Sequence, residues 1–207
     1  MNDNNSCGCA LLAGGMGIRM GGMNKAKLEY DRMTFAERIE SELSGTGMPC
    51  YLSVAAYDQK VPDGWTQVRD CVTDCEGKHI GPMGGIYSCL KQADRDGLKG
   101  LFFVPCDAPL YDSAVTLKLS GYIGPDNDAV LWRTADGRLQ TAFGWYSVRC
   151  LPVIEEDIAG SGYKILKTLE KLRVRTADTA EVGLDDRLFT NINNMDDYGS
   201  LQTDMRR

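Results

Sequence analysis

The 207-residue sequence contains one histidine, His79, and no long apolar run or basic cluster. No stretch approaches the roughly 18 consecutive apolar residues of a membrane helix, and the first residues lack the basic and apolar regions of a secretory signal. Lysine and arginine number 23 against 29 aspartates and glutamates, giving a net charge of −6. Because nucleic acid phosphates call for clustered cations, this balance argues against DNA or RNA as a partner. We expect neither a membrane nor a nucleic acid partner.

Zinc and disulfide patterns are also missing, although the chain has eight cysteines. Cys7-x-Cys9 and Cys71-x3-Cys75 lack the Cys-x2-Cys spacing of zinc sites, and a single histidine adds little to such a set. Most of the cysteines lie in apolar or strand-like segments, where thiols behave as small buried hydrophobic groups. Reduced cysteines predict a cytoplasmic location.

Apolar strand-like segments alternate with amphipathic helical ones along one predicted domain, residues 1–207 with a core over about 7–200. This order predicts an α/β fold with a single Rossmann-like, mainly parallel sheet and helices on both faces. Ligands of such sheets bind where strands end. The predicted strands include 7–13, 51–55, 101–104 and 188–192. The predicted helices include one after the Thr34/Glu37 capping box, one from Pro82, and one at 163–172 with Ile165, Leu166, Leu169 and Leu172 buried.

A glycine-rich loop with two cations follows the first predicted strand. Its glycines allow backbone N–H groups to surround an anion, and Arg19 and Lys25 would neutralise the charge gathered there. Residue 20 is Met where the dinucleotide pattern needs Gly, and no Gly-Lys-Ser/Thr of a Walker A motif occurs. The alternative is a glycine-rich surface turn with two solvated cations.

Two other predicted strands also end in polar residues. Asp107 follows the apolar strand at 101–104 between two prolines that hold the carboxylate at the sheet edge. Mg²⁺ in phosphoryl chemistry takes one or two carboxylates, so Asp107 is a candidate metal ligand, with a helix cap as the alternative. Asn191 and Asn193 alternate, which predicts the same side of a strand end. An Asn-rich turn that caps the last helix is the alternative there.

These motifs together resemble the molybdenum cofactor guanylyltransferases, a family of nucleotidyltransferases. The resemblance covers roughly residues 7–200 and rests on Leu12-Ala-Gly-Gly15, Arg19-Met-Gly-Gly22, Lys25 and Pro105-Cys-Asp-Ala-Pro109. Asp70 followed by Gly81-Pro-Met-Gly-Gly85 is similar to a further part of the family pattern. Asn24 departs from it, because the family often has Asp there.

The resemblance implies a nucleotide-diphospho-sugar-transferase-like fold and Mg²⁺-dependent transfer of GMP from GTP to the phosphate of molybdopterin. Arg19, Lys25 and Asp107 are the implied catalytic residues, Asp107 is the implied Mg²⁺ ligand, and Asp70 the implied guanosine contact. Asn191 and Asn193 are implied to bind the cofactor substrate. The full implied GTP-binding set is Leu12, Ala13, Gly14, Gly15, Lys25, Asp70, Gly84, Gly85 and Asp107.

Three alternatives stay open at this point. A molybdopterin cytidylyltransferase or a sugar-1-phosphate nucleotidyltransferase would use the same scaffold, although relatives of both kinds usually read Leu-Ala-Ala-Gly where this chain has Leu12-Ala-Gly-Gly15. A silent subunit that binds nucleotide or cofactor would need neither Lys25 nor Asp107. Gly84 and Gly85 have a packing interpretation, as the glycines of a helix start. Transient contacts with cofactor-delivering or molybdoenzyme-maturation proteins are a further expectation.

Overall fold

The computed structural model describes residues 6–14, 27–55 and 60–204, which form a seven-stranded sheet, a small hairpin and six helices. The strands are β1 (Cys7–Leu12), β2 (Glu29–Tyr30), β3 (Met33–Thr34), β4 (Cys50–Val54), β5 (Thr66–Arg69), β6 (Gly100–Pro105), β7 (Ala129–Arg133), β8 (Leu139–Ser147) and β9 (Val174–Asp178). The helices are α1 (Phe35–Ser44), α2 (Pro82–Arg95), α3 (Ala114–Ser120), α4 (Leu151–Ala159), α5 (Ile165–Leu169) and α6 (Met195–Asp204). Among the described residues, none of these helices is long and apolar enough to cross a membrane.

The main sheet has the order β5-β4-β1-β6-β8-β7-β9. Strand β8 runs antiparallel to both of its neighbours, and the other pairs are parallel. The strands β1, β4, β5 and β6 therefore all end at the same edge, called here the carboxyl edge. This arrangement confirms the predicted mainly parallel α/β fold.

Local sequence signals explain where two of the helices begin. The Thr34 hydroxyl accepts from the Glu37 N–H at 3.2 Å, and the Glu37 carboxylate accepts from the Thr34 N–H at 2.8 Å. This is the predicted capping box of α1, and it stabilises the helix start by about 1 kcal/mol. Pro82 is the first residue of α2, a position where its missing N–H costs nothing.

Two apolar cores cover the two faces of the sheet. One includes residues of α1 and α3 with one face of β1, such as Ile39 and Val115 with Leu11. The other includes residues of α2 and α4, such as Ile86 and Ile154, with Ala10 from the opposite face of β1. Successive residues of β1 thus enter different cores, as the strand period of two requires.

Two sequence-based expectations are wrong. The helix expected at 163–172 covers only Ile165–Leu169, and Leu166 is 56% exposed. The buried Thr168 takes the expected place of Leu166 inside the molecule, because its hydroxyl binds the Asp157 carboxylate. The strand expected at 188–192 does not form, since a 3₁₀ turn occupies Asp186–Phe189 and the Ile192 N–H binds a loop carbonyl.

Candidate active site

Backbone hydrogen bonds continue past the strand ends at the carboxyl edge. The Ala13 N–H donates to the Ser53 carbonyl at 2.9 Å, and the Cys106 N–H donates to the Leu12 carbonyl at 3.1 Å. The Asp70 N–H donates to the Val54 carbonyl at 2.8 Å. The segments that follow β1, β5 and β6 are therefore held in fixed places relative to one another.

The first polar group at this edge is formed by Asp107 and the Asn191–Asn193 segment. The Ile192 N–H donates to the Asp107 carbonyl at 2.8 Å, which ties the segment to the loop after β6. The Asn191 Oδ1 atom is buried and accepts no hydrogen bond from the described residues. Asn193 is exposed, and its N–H donates to the Asp197 carboxylate at 2.9 Å. The segment that contains Asn191 thus lies against the Asp107 backbone, and the Asn191 Oδ1 atom is a buried acceptor without a hydrogen bond among the described residues.

The start of α6 is capped by a different residue. The Asn194 side chain accepts from the Asp197 N–H at 2.9 Å, and the Asp197 carboxylate accepts from the Asn193 and Asn194 N–H groups. Asn191 and Asn193 are therefore not needed as side-chain caps. In this Asn-rich stretch, the side chain that caps α6 is that of Asn194.

The second polar group surrounds Asp70, which is only 4% exposed. One carboxylate oxygen accepts from the Val72 N–H at 3.0 Å. The other lies 3.6 Å from the His79 Nδ1 atom, a distance longer than a normal hydrogen bond. Burial raises the pKa of Asp70, while the Val72 N–H and His79 lower it. With these few donors among residues 6–14, 27–55 and 60–204, burial of the charged carboxylate is costly unless a further partner binds it.

Gly84 and Gly85 bring the first turn of α2 against this edge. A Cβ atom on Gly84 would lie 2.7 Å from an Asp70 carboxylate oxygen, and one on Gly85 would lie 2.9 Å from the Ser53 Oγ atom. Both positions therefore require glycine for close packing. The predicted contact of these two glycines with GTP stays a prediction.

The predicted loop residues divide between described and undescribed parts of the chain. Leu12 ends β1, Ala13 uses its N–H in the strand extension, and Gly14 lies beside the backbone of β4, with Val54 the nearest strand residue. The predicted Gly15, Arg19 and Lys25 lie outside the described residues.

Sequence reasoning missed two side chains at this edge. Ser53, near the end of β4, has a buried hydroxyl without a hydrogen bond of normal geometry among the described residues, although the Cys89 thiol interacts with it weakly. His79 faces Asp70 across nine positions of sequence. Because the sequence has a single histidine, His79 could have been singled out from the sequence. Nothing in the sequence distinguishes Ser53 from other strand serines.

The oxygen donors at the Asp107 group fit a divalent cation of the Mg²⁺ type. Mg²⁺ prefers carboxylate and amide oxygens and retains several waters, so it needs few protein ligands. The Asp107 carboxylate would supply one oxygen ligand, and the Asn191 Oδ1 atom, which accepts no hydrogen bond from the described residues, would supply a second from the adjoining segment.

The fold and its carboxyl edge are those of an α/β nucleotidyltransferase. The chain belongs to the MobA-like NTP transferase domain family, whose model matches residues 9–174, well over half of the sequence. This match confirms the enzyme class and the family resemblance predicted from the motifs.

Individual relatives agree with this assignment. The chain is 25% identical over 195 residues to a molybdenum cofactor guanylyltransferase of Vibrio atlanticus, covering 93% of this chain and 95% of the relative. The crystal structure of molybdopterin-guanine dinucleotide biosynthesis protein A from Archaeoglobus fulgidus has a TM-score of 0.77 at 19% identity, covering 96% and 98% of the two chains. The manganese complex of Rv0371c from Mycobacterium tuberculosis has a TM-score of 0.65 at 19% identity, covering 95% and 97%.

Proposed function

We propose that this nucleotidyltransferase acts in molybdenum cofactor biosynthesis and transfers GMP from GTP to the phosphate of molybdopterin, releasing pyrophosphate. The names of the Vibrio and Archaeoglobus relatives support this choice of nucleotide and acceptor. The structural observation that carries the proposal is the hydrogen bond from the Ile192 N–H to the Asp107 carbonyl, which holds the Asn191–Asn193 segment at the sheet edge where the buried Asp70 also lies. One group then serves the reacting phosphates and the other the nucleoside.

Asp107 would hold Mg²⁺, with the Asn191 Oδ1 atom as a neighbouring oxygen acceptor. Support comes from the donor chemistry of this group and from the manganese complex formed by one structural relative, Rv0371c. When bound, Mg²⁺ supplies positive charge to the triphosphate oxygens.

The side chains of the chain itself need only bind, orient and neutralise charge. The attacking group is already a phosphate oxyanion, so the reaction requires no strong general base. Arg19 and Lys25 would balance the charge that develops on the departing pyrophosphate. Asp70 would accept from the guanine N1–H and N2–H₂ groups or from ribose hydroxyls. Asn191 and Asn193 would contact the molybdopterin substrate.

The setting of the reaction follows from the same proposal. The enzyme would work in the cytoplasm, where its cysteines stay reduced, and it would meet cofactor-delivering or molybdoenzyme-maturation proteins only transiently. Neither nucleic acid nor membrane is a partner in this scheme.

A panel of four nucleoside triphosphates tests the nucleotide choice. GTP with Mg²⁺ at about a hundred times its Kd should raise the melting temperature by roughly 5–10 °C, because selective binding stabilises the native state by mass action. ATP, CTP and UTP should give smaller shifts, and omission of Mg²⁺ should reduce the GTP shift. A larger shift with CTP would instead support the cytidylyltransferase alternative.

Lys25→Ala tests whether this is an enzyme rather than a silent binding subunit. Loss of one electrostatic contact to the transition state typically lowers the rate by about 10²–10³, and we expect that loss here with an unchanged circular dichroism spectrum. Lys27→Ala, a change two residues further along the chain, is the matched control. Equal turnover in wild type and Lys25→Ala would remove Lys25 from the mechanism.

A further inference from the structure

Within the part of the chain that the structure describes, few groups donate hydrogen bonds to the Asp70 carboxylate. Its Oδ1 atom has the Val72 N–H, and both oxygens lie against the Gly84 backbone, where a Cβ atom would approach within 2.8 Å of each. Gly84 belongs to the first turn of α2, whose N-terminal end favours a negative charge. This setting fixes the position of the carboxylate but does not by itself pair its charge.

A hairpin that follows Asp70 brings His79 back to the other carboxylate oxygen. Thr73 and His79 form an antiparallel bridge, and the Asp74 N–H donates to the Lys78 carbonyl at 2.8 Å. The turn is closed by Gly77, whose φ of +79° is unfavourable for other residues. The His79 Nδ1 atom, 3.6 Å from the Asp70 Oδ2 atom, is buried and makes no hydrogen bond to the described residues.

Two titratable side chains of the described residues interact electrostatically with Asp70. These are His79 from the hairpin and Cys89 from α2. Burial raises the pKa of the Cys89 thiol to about 12, so this group stays neutral at physiological pH. Histidine is the side chain that ordinarily changes its charge between pH 5 and 8. His79 is therefore the group able to compensate the Asp70 charge when it is protonated.

We propose that His79 is a positioning residue for Asp70, holding the buried carboxylate ionised and oriented toward the donors of a bound nucleobase or ribose. The identity of that ligand rests on the proposed function, but the pairing of His79 with Asp70 does not. His79 acts through Asp70 and takes no part in the transfer step. The hairpin at residues 71–80 then serves to bring one imidazole side chain to the nucleoside end of the site.

The direction of the pH effect follows from the opposing influences on the Asp70 carboxyl group. Burial favours the neutral acid, whereas the Val72 N–H and His79 favour the carboxylate. Without His79, the carboxyl group takes up its proton at a higher pH and loses its ability to accept from ligand donors. The defect in a His79 variant should therefore be largest in mildly acidic solution and fade toward pH 8, where the carboxylate is ionised in either protein.

His79→Gln is the principal test, because glutamine has similar reach and no charge. We expect GTP binding to be roughly threefold to tenfold weaker than in wild type at pH 5.5 and within about twofold at pH 8. His79→Lys, which keeps a cation in place, should restore binding at pH 5.5. Lys78→Gln removes one charge from the same hairpin without facing Asp70, and it should follow the wild-type profile.

A carboxyl carbon NMR titration of the nucleotide-free protein separates this inference from the proposed function. Asp70 should titrate at a higher pH in His79→Gln than in wild type or Lys78→Gln. An unchanged Asp70 titration in His79→Gln, or a loss of affinity that is equal at all pH values, would overturn the inference and leave His79 a structural residue. If Asp70→Asn instead binds GTP as well as wild type, the guanosine role of Asp70 fails while the titration still decides the pairing.

Discussion

Asp70 and Asp128 are both buried aspartates beside strands of the same sheet, but their surroundings shift the carboxyl pKa in opposite directions. Asp70 follows β5 at the carboxyl edge, whereas Asp128 precedes β7 at the opposite edge. The Asp128 carboxylate accepts from the Arg173 N–H, Nε and Nη2 atoms at 3.0, 3.0 and 2.9 Å, and Arg149 Nε lies 3.4 Å away. These contacts, chiefly the hydrogen bonds from Arg173, hold the pKa of Asp128 below its usual range.

Among the described residues, Asp70 has one backbone donor and one histidine at 3.6 Å, and its pKa is raised by burial. A carboxylate whose oxygens already accept hydrogen bonds from the protein's own arginines stabilises the fold and has little capacity left for a ligand. One that the fold buries and leaves short of donors has acceptor capacity for a ligand, and such perturbed groups cluster at functional sites. The comparison therefore separates Asp128, which the fold pairs with arginines, from Asp70, the aspartate proposed to bind the nucleoside.

The largest expected effect extends this comparison to the other aspartate of the carboxyl edge. Asp107→Asn keeps the size of the side chain and removes its charge, so product formation should fall by at least about 10²–10³. Binding of GTP should lose its dependence on Mg²⁺, and the melting temperature of the free protein should change little. Activity assays measure product formation, and thermal unfolding with and without GTP and Mg²⁺ measures binding and the stability of the free protein.

Asp112→Asn is the matched control for that experiment. Asp112 is an exposed aspartate of the same loop, and its side chain accepts from the Ala114 N–H at 2.7 Å. Asparagine caps a helix about as well as aspartate, so activity should stay near wild type. Near-normal turnover in Asp107→Asn itself would remove the proposed metal site and group Asp107 with structural aspartates.

The parts of the fold that could be predicted are those with strong local signals. Thr34 and Glu37 predicted the start of α1, and Pro82 predicted that of α2, because capping and proline chemistry act within one turn of chain. The fully apolar strand at 101–104 predicted where Asp107 would lie, since buried parallel strands read as continuous apolar runs. Strand ends in a parallel sheet share an edge, so the placement of the site followed from the fold class.

The parts that could not be predicted depend on contacts distant in sequence. The hairpin β2–β3 turns at Asp31 and Arg32 with φ of +51° and +65°, which no glycine signalled. Leu166 fitted a buried stripe, but Thr168 is anchored by Asp157 from a neighbouring helix. The Asn191 segment read as a strand and is instead held by the Asp107 carbonyl, far earlier in the chain. The approach of His79 to Asp70 depends on the hairpin in which Thr73 pairs with His79, and no local sequence pattern predicted that pairing.

A smaller effect, on stability alone, is expected at Asp128. Asp128→Asn leaves two arginines without their carboxylate, and the melting temperature at pH 7 should fall by roughly 5 °C. Because the pKa of Asp128 is lowered by folding, its contribution is present above the ordinary carboxyl range and is lost as the pH falls through the folded value. The difference from wild type should therefore disappear in acid, while GTP protection stays normal at pH 7. A matching loss of GTP protection would erase the distinction between the two regions.

The smallest expected effect is on the melting temperature of Asp70→Asn, and it is a rise, whereas Asp128→Asn should lower the melting temperature. Folding raises the pKa of Asp70, so its ionised form opposes folding, and that penalty grows as the pH rises through the ordinary carboxyl range toward the folded value. Asp70→Asn still accepts from the Val72 N–H but carries no charge, so the free protein should melt roughly 1–3 °C higher than wild type at pH 8. The gain should vanish below the ordinary carboxyl range, where wild-type Asp70 is also neutral.

At pH 8 the variant should nevertheless gain less protection from GTP, because an amide replaces one acceptor oxygen with a donor. Melting curves with and without GTP at the two pH values measure both effects, and a variant that melts as low as Asp128→Asn at pH 8 would make Asp70 a structural aspartate like Asp128.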